Sequence, residues 1–200
     1  MNTDAHCAKA ELRRQLRLAI HGLPEAERRA ASARARELLR RQAVWERART
    51  VLFYAPLAGE LDVSPLLEEA LQAGKTVALP RFVAATGTYL PFQVSDPGRD
   101  CAPGRFGISE PAAHCPALEL KRLDLVLAPG LGFDLSGRRL GRGRGFYDRL
   151  LAGIAGTKCG VAFDQQVVPQ IPAERHDVNM NFILTPTRWL EIPAPASLPA

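Results

Sequence analysis

The run LVLAPGLGFDLSGRRLGRGRGFYDRLL, residues 125–151, constrains the fold of this chain more than any other stretch. Its opening residues Leu125, Val126, Leu127 and Ala128 are apolar without interruption and stop at Pro129 and Gly130. A strand covered on both faces by helices reads this way, because neither face can carry polar side chains. Beyond it Gly137, Gly141, Gly143 and Gly145 alternate with Arg138, Arg139, Arg142 and Arg144, and the GFYDRLL run that follows reads as a helix. Glycines let the backbone approach an anion closely while guanidinium groups surround it, so a triphosphate is the chemistry implied. No GK[ST] follows the glycines and their spacing is not G-x-G-x-x-G, which excludes two familiar nucleotide patterns. The alternative is a solvated arginine–glycine segment of the kind that contacts RNA. The shortness of the segment, its place between strand and helix, and the presence of Asp134 and Asp148 favour a phosphate loop.

A length of 200 residues suits one substantial core, so a single domain over 1–192 is expected, with the proline- and alanine-rich run 193–200 as a disordered tail. A 46% hydrophobic fraction with 24% charged residues of both signs describes a globular chain. Net charge of +5 comes largely from arginines in the amino-terminal helices and the glycine loop, and suits an anionic small molecule as well as nucleic acid. With no membrane-length apolar run and no secretory apolar core, a cytoplasmic location is expected. Cys7, Cys101, Cys115 and Cys159 form no CxxC pair and read as reduced thiols, and the His114–Cys115 neighbours read as incidental.

Along the chain, residues 8–20 read as an amphipathic helix on which Lys9 and Arg13 stand one turn apart. They are either a solvated face or a grip on an anion. Residues 24–44 read as a second helix, with Pro24 in its first turn and Glu25 and Glu27 near its start. Strands are expected at 50–54, 75–80, 89–94, 125–128 and 156–163, with a helix over 65–73 between the first two. Strands alternating with helices imply an open, largely parallel α/β sheet with ligands at the strand ends. Glu60 and Arg81, by residue type alone, are ordinary loop residues.

The runs PGLGFD and GRRLGRGRGFYDR resemble the signature of the 5-formyltetrahydrofolate cyclo-ligase family, also called 5,10-methenyltetrahydrofolate synthetases. The likeness extends over residues 9–185, through KAELR at 9–13, APLAGELD at 55–62, RFGISEP at 105–111 and the segment beginning FDQQ at 163. It implies a single-domain, three-layer, Rossmann-like fold, a mostly parallel sheet flanked by helices. It also implies ATP-dependent closure of 5-formyltetrahydrofolate to 5,10-methenyltetrahydrofolate with magnesium, in a monomer that needs neither nucleic acid nor membrane. By the same resemblance Lys9, Arg13, Arg139, Leu140, Gly141, Arg142, Gly143, Arg144, Gly145, Phe146 and Tyr147 meet ATP, with Arg142, Arg144 and Tyr147 catalytic. The folate falls to Tyr54, Ala55, Glu60 and Phe106, with Ile108 as a further apolar contact, and to the loop residues Arg142, Gly143, Arg144, Gly145 and Phe146. Asp148 and Asp177 are the implied magnesium ligands, with Gln165 and His176 behind them. Where the family commonly has Tyr-Tyr, this chain has Phe146-Tyr147, and Val63-Ser64 stand where a threonine is usual. A relative without turnover and an RNA-associated module are the alternatives.

Overall fold

A computed structural model describes residues 3–104, 107–172 and 177–193. The elements run α1 (Thr3–His21), α2 (Glu25–Arg40), α3 (Ala43–Arg47), β1 (Thr50–Leu52), α4 (Pro65–Gln72), β2 (Thr76–Val83), β3 (Thr88–Val94), α5 (Pro97–Asp100), β4 (Cys101–Pro103) and β5 (Ser109–Pro111). They continue with β6 (Leu125–Pro129), β7 (Gly132–Asp134), β8 (Arg139–Leu140), α6 (Phe146–Ala152), β9 (Thr157–Val161), β10 (Val167–Val168), β11 (Phe182–Leu184) and β12 (Trp189–Glu191). Among the described residues no helix is long and apolar enough to cross a membrane.

The main sheet has seven strands in the order β12-β11-β9-β6-β1-β2-β3. β2, β1, β6, β9 and β11 pair in parallel, and one antiparallel strand closes each edge. Period-2 alternation sorts the strand side chains between two cores. Val51, Phe53, Val77, Leu79, Leu125 and Leu127 pack with Ala35, Leu39, Leu66 and Ala70 of α2 and α4 on one face. Leu52, Ala78, Val126 and Ala128 pack with Leu150 and Leu151 of α6 on the other. Three layers follow, with every central strand buried on both sides.

Among the parallel strands the chain visits the sheet as second, first, third, fourth and fifth, so crossovers leave β1 and β6 in opposite directions. The carboxyl ends of those two strands splay their connections apart and open a crevice, where ligands of doubly wound sheets sit.

The expected helix over 24–44 ends at Arg40. Gln42 is extended (φ −92°, ψ 133°), and the redirected chain starts α3, which turns Trp45 edge-on to Phe53 at 6.0 Å between ring centroids. A larger departure lies in the arginine–glycine run. Rather than one open loop, its first half is the hairpin β7–β8, extended by β10 into a three-stranded sheet. Asp134, 1% exposed, makes that turn by accepting the Ser136 and Arg138 backbone N–H groups at 2.9 and 3.1 Å and the Ile171 N–H at 2.8 Å. Gly137 takes the left-handed conformation the turn needs (φ 83°). Arg138 donates to the Ile171 carbonyl at 3.2 Å and so belongs to the scaffold, not to the expected ring of anion-facing arginines.

Candidate active site

The crevice between β1 and β6 holds a cavity of about 230 Å³. Ala55, Leu57 and Glu60 enter it from the segment after β1, Pro80 and Tyr89 from β2 and β3, and Pro129 and Gly130 from the end of β6. Ile108 closes it from the β4–β5 connection, and Arg139, Gly141, Arg142, Arg144, Gly145, Phe146, Tyr147 and Asp148 supply the remaining wall.

Glu60 is fixed from its own turn. Its Oε2 accepts the Leu57 backbone N–H at 2.9 Å, and only 9% of its side chain is exposed. Across the cavity Arg142 donates to Glu60 Oε1, from Nη2 at 2.8 Å and from Nε at 3.3 Å. Phe82, Tyr89 and Phe146 make a mutually edge-to-face cluster, with centroids 5.5 to 5.6 Å apart, that stiffens one apolar wall. Burial, and then the nearby Glu60 charge, push the Tyr147 phenol well above its ordinary range, so it stays a neutral O–H.

Behind this surface Arg139, 3% exposed, donates to Asp148 at 2.5 Å and to the Pro129 carbonyl at 3.3 Å. Among the described residues its Nε is buried without a hydrogen-bond partner, beside the cavity that Arg139 itself lines. Gly141 is small because the Arg139 guanidinium lies against it: an added Cβ would stand 3.1 Å from Nη1. Helix α1 closes this side. Leu16 packs with Leu140 and Ile171, with Leu12 alongside, and Arg13 donates from Nε to the Gly141 carbonyl at 2.9 Å. One turn earlier, about 6 Å along the helix, Lys9 meets Asp177 at 3.0 Å, with side chains 6% and 10% exposed.

Of the expected site residues, the cavity gathers Ala55, Glu60, Ile108, Arg139, Gly141, Arg142, Arg144, Gly145, Phe146, Tyr147 and Asp148. Lys9, Arg13 and Asp177 lie on the adjoining α1 side. Tyr54 is not brought to the cavity: its ring is 1% exposed in the core and its hydroxyl donates to the Leu61 carbonyl. Leu140 is a buried packing residue beneath the loop, and Gly143 lies beside the Arg13 guanidinium instead of in the cavity wall. Phe106 and His176 lie outside the described residues. Gln165 is exposed. Its neighbour Gln166 does the local work, donating to the Gly130 and Leu131 carbonyls at 2.9 and 3.0 Å and holding the turn after β6. Leu57, Pro80, Tyr89, Pro129 and Gly130 also line the cavity, beyond the residues expected from the sequence. The switch-point rule could have found Pro129 and Gly130, since they end the central strand. Asp100 and the His114–Cys115 pair bring donor atoms within 4.8 Å. Asp100 accepts the Ser95 and Asp96 N–H groups at 2.8 and 2.9 Å and so anchors the start of β4.

Fold and cavity together define a doubly wound α/β protein with two carboxylates and three arginines lining its switch-point crevice. The 5-formyltetrahydrofolate cyclo-ligase family model matches residues 5–186. The 5-formyltetrahydrofolate cyclo-ligase of Mycolicibacterium smegmatis is 39% identical over 92% of this chain and 96% of its own. That of Escherichia coli K12 is 36% identical over 72% of this chain and 81% of its own. The 5,10-methenyltetrahydrofolate synthetase of Aquifex aeolicus superposes with a TM-score of 0.85 at 32% identity, covering 96% of both chains. The chain belongs to the 5-formyltetrahydrofolate cyclo-ligase family.

Proposed function

We propose that this chain is an ATP-dependent enzyme that converts 5-formyltetrahydrofolate to 5,10-methenyltetrahydrofolate with release of ADP and phosphate, as a single-domain cytoplasmic monomer. The observation that carries the reading is a cavity with the Glu60 carboxylate on one side, aromatic walls, and Arg139, Arg142 and Arg144 on the other. A flat pterin suits the space between Tyr89, Phe146 and Ile108. Its adjacent N–H donors suit one carboxylate accepting both. Two of the four arginines that an RNA-contacting loop would present to solvent are withdrawn from that role, Arg139 by burial and Arg138 by its tie to the scaffold.

In the reaction the formyl oxygen attacks the γ-phosphorus of ATP and ADP departs, leaving an iminophosphate. The substrate's N10 then attacks the former formyl carbon, the carbon–oxygen bond to phosphate breaks, and N10 gives up its proton as the ring closes. Both nucleophiles belong to the substrate, so the chain's part is positioning and charge neutralisation. Arg139, Arg142 and Arg144 meet the transferred phosphoryl group, neutral Tyr147 offers a hydrogen bond there, and Lys9 and Arg13 reach the nucleotide from α1. Asp148 and Asp177 present the carboxylate oxygens that magnesium prefers, close to cations that would face the nucleotide phosphates. Magnesium, when bound, supplies charge neutralisation across the phosphate oxygens.

The test is the absorbance of the methenyl product on mixing the protein with 5-formyltetrahydrofolate, ATP and magnesium. Product that requires ATP and falls at least about 100-fold in Arg142→Ala is expected, the scale of one lost transition-state donor. A well-folded protein that binds ATP and makes no product would leave a relative without turnover as the better reading.

A further inference from the structure

Glu60 and Arg142 are 82 residues apart in sequence and meet only across the cavity. The proposed function gives them separate duties, Glu60 to the pterin and Arg142 to the transferred phosphate. Without ligands each occupies the other. We propose that this ion pair is an exchange element that couples the two substrates, so that folate and nucleotide each bind more tightly in the presence of the other.

The geometry makes the two partners unequal. Glu60 is the fixed one: it is nearly buried, and its second oxygen is held by the Leu57 backbone. Arg142 is the movable one, 43% exposed and flanked by Gly141 and Gly143, the latter left-handed at φ 101°. Two guanidinium nitrogens crowd onto Oε1 at 2.8 and 3.3 Å, which fills the lone-pair directions of that oxygen. Pterin N–H donors can reach Oε1, and so take both oxygens of the carboxylate, only as Arg142 leaves. A guanidinium that leaves into an empty cavity loses a charge-assisted partner, whereas one that leaves toward a phosphate exchanges it for another. Conversely, a phosphate that draws Arg142 away strands the Glu60 carboxylate in a water-poor pocket unless pterin donors take its place. Each ligand therefore lowers the cost of the other's binding, and linkage requires the effect to be equal in both directions.

The inference rests on the proposed function, and the experiment separates the two. Binding of a non-hydrolysable ATP analogue with magnesium is measured by calorimetry, with and without saturating 5-formyltetrahydrofolate, in wild type, Glu60→Gln and Arg142→Ala. Wild type is expected to bind the analogue about 5-fold or more tightly when the folate is present. Glu60→Gln, which releases Arg142, should bind the analogue alone more tightly than wild type and lose the enhancement. Arg142→Ala, a change in an exposed loop that tests the pair without disturbing the core, should bind the folate alone more tightly and also lose the enhancement. Independent binding of both ligands to wild type, or an enhancement that survives either substitution, overturns the exchange and leaves the function standing. Failure of wild type to bind either ligand overturns both.

Discussion

Tyr54 is buried in the core and Tyr147 partly buried in the cavity wall, and burial, reinforced by the Glu60 charge, pushes both phenols above their ordinary value of 10. An unfolded chain releases these protons near pH 10 while the folded one retains them. The unfolded state therefore gains as pH rises: stability is intact below pH 10 and falls above it. The buried Cys159 thiol, also pushed up, acts in the same sense from about pH 9. The phenolate band near 295 nm should show these two of the chain's three tyrosines ionising only as the far-UV dichroism is lost. Tyr147→Phe should soften the alkaline decline, and ionisation of both phenols at pH 10 in a folded protein would contradict the burial argument. At this scale the sequence made residue types legible and left their partners hidden. The family resemblance points Lys9, Arg139 and Arg142 to phosphate, and Asp177, Asp148 and Glu60 to metal or pterin. In the folded chain each cation pairs with one of those acids, across 168, 9 and 82 positions. Charge sign is written in the sequence, but ion pairing depends on which groups folding removes from water together.

Among the elements, β6 was legible because a strand buried on both faces must be apolar throughout, and α4 because Pro65 opens it and Gly74, at φ 75°, ends it. The hairpin β7–β8 was not, since three-residue and two-residue strands are too short to show a period. The turn between them is made by one buried aspartate that takes the local Ser136 and Arg138 N–H groups on one oxygen and the distant Ile171 N–H on the other, a contact only the folded chain supplies. Helix α1 is amphipathic as its pattern implies, yet its apolar stripe is divided: Leu12 and Leu16 dock on that small hairpin sheet, while Ile20 joins the core cluster formed by α2 and α4. This makes Leu16 a test of how the nucleotide side is built. Its methyl groups sit where an added Cβ on Gly132 would come within 2.6 Å, so the contact is close. Leu16→Ala should lower stability by about 3 kcal/mol and weaken ATP binding, because Lys9 and Arg13 depend on the seat of the helix. Leu39→Ala in α2, a comparable loss in the core cluster formed by α2 and α4, should lower the melting temperature while leaving nucleotide affinity unchanged. Equal loss of affinity in both variants would show that the helix seat is not what positions the cations.

At the scale of the whole molecule, the two cores share every central strand, with alternate residues of β1, β2 and β6 belonging to opposite faces. Losing the α6 side would expose Val126 and Ala128 while their neighbours Leu125 and Leu127 were still packed, on a strand whose backbone pairs on both edges. No seam in the sheet lets one face open alone, so residues 3–193 should unfold in a single transition. Its calorimetric and van't Hoff enthalpies should agree. The two tryptophans allow an independent check. Trp45 packs edge-on against Phe53 in the core cluster formed by α2 and α4, and Trp189 stacks on Phe182 at 4.8 Å on the far edge of the sheet. In Trp189→Phe and Trp45→Phe, the remaining fluorophore should report the same midpoint, within the stability cost of each substitution, and a melting curve that coincides with far-UV dichroism. A folate and a nucleotide analogue that bind at the β1–β6 crevice touch the segments after both strands, so together they should raise the entire transition instead of splitting it. Resolved transitions, or an edge tryptophan released before the helical signal, would mean that the antiparallel strand β12 and its neighbour form a separately opening unit. The crevice would then be held together by the remaining strands β9, β6, β1, β2 and β3.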